Sequence, residues 1–262
     1  MIRAFLFDLD GTLVQSEKLK AQAYAISVQR LLKLPEPDAR AIKVYRQIVG
    51  SNQDIASEYI TEKLGLEDEL RSHMSEYGVS KPHLVIKGMR QNVYDEMISN
   101  PEVIRDNKWP YTLEILHSVK RKSCLTALVT NSPLKNVLQI LRSLEIENML
   151  DLLVTGDDVE LGKPDPMSYL LAIKKLNVPA GECLALEDSV SGVRAASAAG
   201  VDVIAIATPF TNAGLHKSEI VEHAWIVHDP AKLPAEVARR IEEHDRRKHG
   251  KQKGIAGNGG KP

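Results

Sequence analysis

Cysteine is nearly absent. Cys124 and Cys183 are the only two in 262 residues, and each opens an apolar run. That is no disulfide framework; it reads as two buried thiols in a cytosolic protein. Long apolar runs are absent too, so no segment predicts a membrane-crossing helix. The one apolar stretch near the N-terminus is interrupted by Asp8 and Asp10, which does not fit a signal peptide. Charge of one sign is missing: 34 Lys and Arg against 35 Asp and Glu give a formal net charge of −1. No global field therefore favours nucleic acid or an anionic membrane surface. The eight histidines show no metal-ligand spacing, and His244 and His249 read as solvated in a polar tail. The glycine-rich end, Gly259-Gly260-Lys261-Pro262, is no phosphate-binding P-loop. The first loop glycine is replaced by Ile255 and the Ser/Thr by Pro262.

What is present is an alternation of short apolar runs with helical patterns. Strands are predicted at Ile2–Asp8, Cys124–Thr130, Leu150–Thr155, Cys183–Glu187, Val201–Ile206 and Ala224–Val227. Each is nearly continuous in apolar character, as strands buried on both faces are. Helices are predicted between most of them, at Tyr111–Arg121, Pro133–Leu144, Pro166–Leu176 and Val190–Ala199. Ser132 before Pro133 and Asp165 before Pro166 read as N-caps, and Gly200 as a C-terminal stop. The pattern predicts an α/β fold with a parallel sheet and crossover helices. Residues 17–100 break the rhythm. They hold only helical periodicity, at Leu19–Leu32, Ala39–Val49, Asp54–Leu64, Leu66–Tyr77 and Leu84–Ile98, and predict a helical domain inserted into a core of residues 1–16 and 101–243. Residues 244–262 read as a disordered basic tail.

Ligands of an open parallel sheet bind beyond the carboxyl ends of its strands. The first run ends in Asp8-Leu9-Asp10-Gly11-Thr12 and the second in Thr130-Asn131-Ser132. Gly162-Lys163-Pro164-Asp165-Pro166 follows the third, and the fourth ends in Glu187-Asp188-Ser189. Asp8 and Asp10 lie two apart and project from the same side of a strand end. Two ionised carboxylates that close need a cation or a shared proton, which points to metal-assisted acid–base chemistry. Every element also has an ordinary reading. Asp-Gly between apolar residues signals a hairpin turn. Thr130 can be a plain strand residue, Ser132 a cap, Lys163 a solvated loop charge, and Glu187-Asp188 a lead into the cap at Ser189. Four such elements in order at successive strand ends favour the site.

On these motifs the chain resembles the haloacid dehalogenase superfamily in its phosphatase and phosphomutase branch. Asp8-x-Asp10-Gly11-Thr12, Thr130, Gly162-Lys163-Pro164-Asp165-Pro166 and Glu187-Asp188-Ser189 match its four motifs in order, over residues 2–228. The stretch Leu186–Gly200 is similar to the β-phosphoglucomutase-like and sugar-phosphate phosphatase subgroup. The resemblance implies a Rossmann-like core with an inserted helical cap, and cytoplasmic Mg²⁺-dependent hydrolysis of a small phosphorylated metabolite such as a sugar phosphate. It implies no nucleic-acid or membrane partner. Asp8 would be the nucleophile that forms an aspartyl-phosphate, and Asp10 the general acid–base. Asp8, Asp188 and the Asp10 backbone carbonyl would hold Mg²⁺, with Glu187 acting through water. Thr130, Lys163 and the backbone near Asn131 would hold the phosphoryl oxygens. Arg90 aligns with a cap cation that contacts substrate.

The chain also departs from the subgroup. Lys20 stands where the mutases carry a proton-transferring histidine, Gln53 where they carry a cap arginine, and Gln15 where many members have Asp. The first two changes favour hydrolysis over the alternative, a phosphosugar mutase. Asp10 and Gly11-Thr12 speak against a true dehalogenase. A non-catalytic binding protein is a further alternative, against which the intact motif set counts. The cap is expected to move as a lid, hinged near Gln15–Glu17 and Asn100–Glu102.

Overall fold

The computed structural model describes residues 1–218 and 225–256. β1 (Ala4–Phe7) enters first. A helical block follows: α1 (Ser16–Leu32), α2 (Ala39–Tyr45), α3 (Gln53–Leu64), α4 (Glu67–Arg71), α5 (Met74–Tyr77) and α6 (Pro82–Ser99). The chain returns through α7 (Pro101–Asp106) and α8 (Pro110–Arg121). It then alternates β2 (Leu125–Val129), α9 (Leu134–Ser143), β3 (Leu152–Val154), α10 (Met167–Leu176), β4 (Cys183–Glu187), α11 (Val190–Ala198) and β5 (Asp202–Ile206). α12 (Asn212–Lys217), β6 (Ile226–Val227) and α13 (Leu233–Ala256) complete it.

Among the described residues, six strands form one sheet of order β3-β2-β1-β4-β5-β6, with every pairing parallel. This is a doubly wound α/β order, and its direction reverses beside β1. β1 pairs on both edges, Phe7 opposite Leu128 and Leu186. The hairpin reading of Asp10-Gly11 is thereby corrected: the strand has no antiparallel partner to turn into. Alternation along β1 serves two apolar layers. Phe5 and Phe7 pack with Leu116, Ile140 and Leu233, whereas Ala4 and Leu6 pack with Tyr169, Ala172 and Val193. Strands covered on both faces are why the sequence reads as continuous apolar runs.

The helical block has its own apolar cluster, including Tyr24, Val28, Ile60, Leu70 and Ile86. It also reaches into the sheet's first layer through Leu19, Val93 and Ile98. Its two chain crossings lie side by side, because Val14 bridges Lys108 and Gln15 N–H donates to Asn107 O at 2.7 Å. The predicted helix Leu66–Tyr77 is two short helices, α4 and α5, parted at Ser72–His73. Gly200 takes the positive φ (+76°) expected after α11.

Three expectations are corrected at element ends. Ser132 is not the cap of α9: Pro133 holds that position, and Leu134 N–H is taken by Asp157 Oδ2 at 2.8 Å. Pro166 holds the cap position of α10, although Asp165 Oδ1 does accept from Met167 N–H at 2.9 Å. The tail is not irregular from His244, because α13 runs through it to Ala256. Leu233 and Val237 are buried and Ile241 packs against them at four-residue spacing. Arg239 pairs with Glu236 and Glu243 on the outer face. His244 is not solvated; its ring packs near β5 with Nδ1 3.3 Å from Asp202 Oδ2. Residues 257–262 lie outside the described residues, as does Ala224. Both cysteines are free; Cys183 is buried and Cys124 only half-buried. Among the described residues no helix is long and apolar enough to cross a membrane.

Candidate active site

Asp8 sits immediately beyond β1, Thr130 beyond β2, and Glu187 and Asp188 at the end of β4. The sheet therefore gathers the residues at the point where its order reverses. Asp8, Thr130, Glu187 and Asp188 are all buried. Lys163 arrives from the segment after β3, and its side chain is 4% exposed. Its Nζ donates to Asp8 Oδ1 at 2.6 Å, Glu187 Oε1 at 2.5 Å and Val129 O at 2.7 Å. Three acceptors saturate an ammonium, so Lys163 is committed to the carboxylates and the strand end. Asn131 fixes the lysine's backbone: its Oδ1 accepts from Lys163 N–H at 2.9 Å, and its Nδ2 donates to Lys163 O at 3.2 Å. Thr130 Oγ1 accepts from Ser132 N–H at 3.1 Å.

Oxygens of Asp8, Glu187 and Asp188 lie within 4.8 Å of one another. Asp188 Oδ2 and Glu187 Oε2 are buried and have no hydrogen-bond partner among the described residues. Orphaned carboxylate oxygens gathered in this way suit a hard divalent cation. Two glycines make the room. A Cβ on Gly11 would stand 1.9 Å from Asp188 Oδ2, and one on Gly192 1.9 Å from Glu187 Oε2. Charge crowding has the same sense. Burial first, then the Glu187 charge, raise Asp8 to about 8 against the pull of Lys163. Burial and the charge of Asp8 hold Asp188 well above the usual carboxylate range. A cation would relieve both.

The Asp10 carboxylate stands apart from this trio. Ser132 Oγ donates to its Oδ2 at 2.5 Å, and Lys20 Nζ lies 3.1 Å from its Oδ1. Burial alone would raise its pKa, but the Lys20 charge and the Ser132 hydrogen bond hold it at about 2. Burial opposes a charged Lys20, yet Asp10 and Glu17 raise its pKa well above the ordinary value.

Asp8, Asp10, Thr130, Asn131, Lys163 and Asp188 line a cavity of about 560 Å³. Its far wall comes from the helical block and includes Glu17, Lys20, Gln53, Arg90 and Tyr94. Arg90 is 3% exposed, its guanidinium 5.6 Å from the ring centres of both Tyr24 and Tyr94. Nη1 donates to Gln91 Oε1 at 3.0 Å, and Nε has no acceptor among the described residues. Of the residues singled out in the sequence, Asp8, Asp10, Arg90, Thr130, Asn131, Lys163 and Asp188 line this one cavity, and Glu187 is buried beside it, bonded to Lys163. Sequence reasoning missed Tyr169, whose hydroxyl donates to Glu187 Oε1 at 2.6 Å, and Ser132 as the donor to Asp10. Tyr169 carries no motif. Gly192 did leave a signal, a glycine inside the first turn of an otherwise good helix.

Known proteins bear on this arrangement. A family model described as haloacid dehalogenase-like hydrolase matches residues 2–200. A phosphorylated carbohydrates phosphatase of Thermotoga maritima is 32% identical over 203 residues, which is 78% of this chain and 84% of that protein. The crystal structure of a mutant CbbY from Rhodobacter sphaeroides with xylulose-(1,5)bisphosphate is 25% identical, with a TM-score of 0.63, covering 89% of this chain and 96% of that one. A β-phosphoglucomutase of Clostridium difficile shares the fold at a TM-score of 0.67 and 21% identity, over 94% and 98% of the two chains.

Proposed function

Because the chain belongs to the haloacid dehalogenase-like hydrolases, we propose that it is a Mg²⁺-dependent phosphatase of a small phosphorylated metabolite, a phosphorylated carbohydrate above all, with Asp8 as nucleophile. The observation that carries this reading is the buried meeting of Asp8, Lys163, Glu187 and Asp188 at the floor of a polar cavity walled by the helical block. The phosphorylated carbohydrates phosphatase at 32% identity supports the substrate class.

Lys163 holds Asp8 by Oδ1, which leaves Oδ2 to attack phosphorus in line. A bond forms between that oxygen and phosphorus, the ester P–O bond breaks, and the departing alkoxide takes a proton from Asp10. Water then attacks the aspartyl-phosphate and gives its proton to Asp10. Inorganic phosphate leaves and Asp8 is regenerated. Asp10 is an anion while the cavity holds no substrate. A phosphate entering beside it adds like charge and favours the protonated form that the first half needs. Thr130 and the backbone that follows it face the transferring group, while the Asn131 amide acts through Lys163 by holding its backbone. Asp8, Asp188, Glu187 and the Asp10 backbone carbonyl would hold the ion. Bound there, Mg²⁺ supplies positive charge to the transferring phosphoryl oxygens. Arg90 and Gln53, on the far wall, face the rest of the substrate.

The test is hydrolysis of p-nitrophenyl phosphate with and without Mg²⁺, followed by a panel of sugar phosphates and 2-phosphoglycolate ranked by kcat/KM. Asp8→Asn is expected to lower kcat by about 10⁴-fold or more with the fold intact. Retention of a tenth of the Mg²⁺-dependent rate, without deamidation, overturns the assignment. With β-glucose 1-phosphate and a trace of glucose 1,6-bisphosphate, free phosphate is expected; efficient glucose 6-phosphate formation would make the protein a mutase.

A further inference from the structure

We propose that Glu17 and Tyr45 are positioning residues that set the Lys20 ammonium on Asp10, so that a helix of the cap fixes the orientation of the carboxylate that handles the leaving-group proton. The inference rests on the hydrolase reading for the role of Asp10, and on geometry alone for the placement of Lys20.

Five side chains form one continuous line. Tyr45 at the end of α2 donates its hydroxyl to Glu17 Oε2 at 2.5 Å. Glu17 Oε1 accepts from Lys20 Nζ at 2.9 Å, and the same ammonium lies 3.1 Å from Asp10 Oδ1. Asp10 Oδ2 accepts from Ser132 Oγ at 2.5 Å. Glu17, Lys20 and Tyr45 are each at most 15% exposed. The line starts in the cap and ends at two strand ends of the core. Asp10 is therefore gripped from both sides, by Ser132 from the core and by Lys20 from the cap.

Lysine has a long stem with many rotamers, and a partner three residues away on the same helix does not fix where its ammonium points. Tyr45 removes that freedom. Its ring is buried and lies 5.3 Å from that of Tyr24, whose own hydroxyl is bonded to Ser57 Oγ of α3 at 2.9 Å. A rigid phenol holding Oε2 leaves only Oε1 of Glu17 for Lys20. Without the phenol hydroxyl, both Glu17 oxygens are free to close on the ammonium and draw it off Asp10. The notable consequence is that a residue outside hydrogen-bond reach of Asp10 sets that carboxylate's rotamer.

Misplacing Asp10 costs most where the leaving group cannot depart without a proton. p-Nitrophenolate departs as an anion; an alkoxide does not. In Tyr45→Phe and Glu17→Gln, the single-turnover rate of glycerol release from glycerol 2-phosphate is expected to fall by about tenfold or more, while the burst rate of p-nitrophenolate release from p-nitrophenyl phosphate changes by less than about threefold; the later hydrolysis of the aspartyl-phosphate also uses Asp10 and is common to both esters. Kd for both esters and Tm should stay near wild type. Lys20→Arg, which keeps the charge, should recover part of the alkyl-phosphate rate that Lys20→Met loses. Equal losses in the two release rates, or a fall in Tm that accounts for the loss, would overturn the proposal and leave the three residues as a structural network. A crystal structure of Tyr45→Phe tests the placement independently of turnover. Lys20 Nζ is expected beyond hydrogen-bond reach of Asp10 Oδ1, and an unchanged contact overturns the proposal even if the protein hydrolyses neither ester. Absence of Mg²⁺-dependent hydrolysis in wild type, with the Lys20 displacement seen in the variant, would instead overturn the hydrolase reading.

Discussion

A single methyl group at position 11 would overlap the Asp188 carboxylate. Gly11 has φ +78°, and its missing Cβ would overlap Asp188 Oδ2. Gly11→Ala therefore meets two costs together: about 1 kcal/mol or more for an L residue in left-handed backbone, and displacement of Asp188 from the trio it makes with Asp8 and Glu187. The second is the functional one. Mg²⁺ affinity by calorimetry is expected to fall by about tenfold or more, as when a metal ligand loses its support, and kcat/KM with it. Unchanged Mg²⁺ binding would show that Asp188 is not a ligand. The glycine was visible in the sequence, but its reason was not: Asp-Gly reads as a turn, and only the fold brings Asp188, far along the chain, against it. Tyr169 was hidden for the same reason. Its hydroxyl reaches Glu187 through the packing of α10 on the sheet, for which no spacing along the chain gives a sign.

At the scale of elements, legibility followed burial. β4 was read to the residue as Cys183–Glu187, and the other described strands to within about two residues, because strands covered on both faces leave no polar position to blur them. The helical block was legible as helices, yet its short members, α4 and α5, were not separable, since a break of two residues does not disturb a 3.6-residue period. α13 was left without an element in the sequence reading, which placed residues up to 243 in the core and began the tail at His244. The helix's outer face is dense in charge and masks a narrow apolar stripe at Leu233, Val237 and Ile241. That stripe closes the first apolar layer under Leu113 and Leu116, which makes α13 part of the core. Leu233 is fully buried, so Leu233→Ala should lower stability by about 3 kcal/mol through lost burial and a residual cavity, read by urea denaturation. A loss under about 0.5 kcal/mol, the level of an exposed position, would mean that α13 contributes nothing to the core.

For the whole molecule, three buried carboxylates meet at the strand ends, and a pH dependence of stability follows. The raised pKa of Asp8, about 8 in the metal-free protein against 3.8 for a solvated aspartate, arises from burial first and the Glu187 charge second; Asp188 is raised as well, again by burial first and then by Asp8. Between the unfolded and folded values the native protein binds more protons than the unfolded chain. The slope of unfolding free energy with pH is then negative, and metal-free stability declines as pH rises from about 4 to about 8. Asp38, held low chiefly by hydrogen bonds from Arg40, and Asp158, held low chiefly by the Thr155 backbone N–H, have the opposite sign. Their stabilisation is present above the unfolded carboxylate pKa and is lost only on acidification, outside this window. On the proposed reading Mg²⁺ would bind the deprotonated cage, so its stabilisation would grow over the same range in which the free protein weakens. In EDTA, Tm by calorimetry is expected to drop by on the order of 5 °C between about pH 6 and about pH 8.5. Millimolar Mg²⁺ should raise Tm more at the higher pH than at the lower. A flat EDTA profile, or an Mg²⁺ increment that shrinks with pH, would mean that Asp8 and Asp188 are already ionised without the ion, and that the cage is neutralised by Lys163 alone.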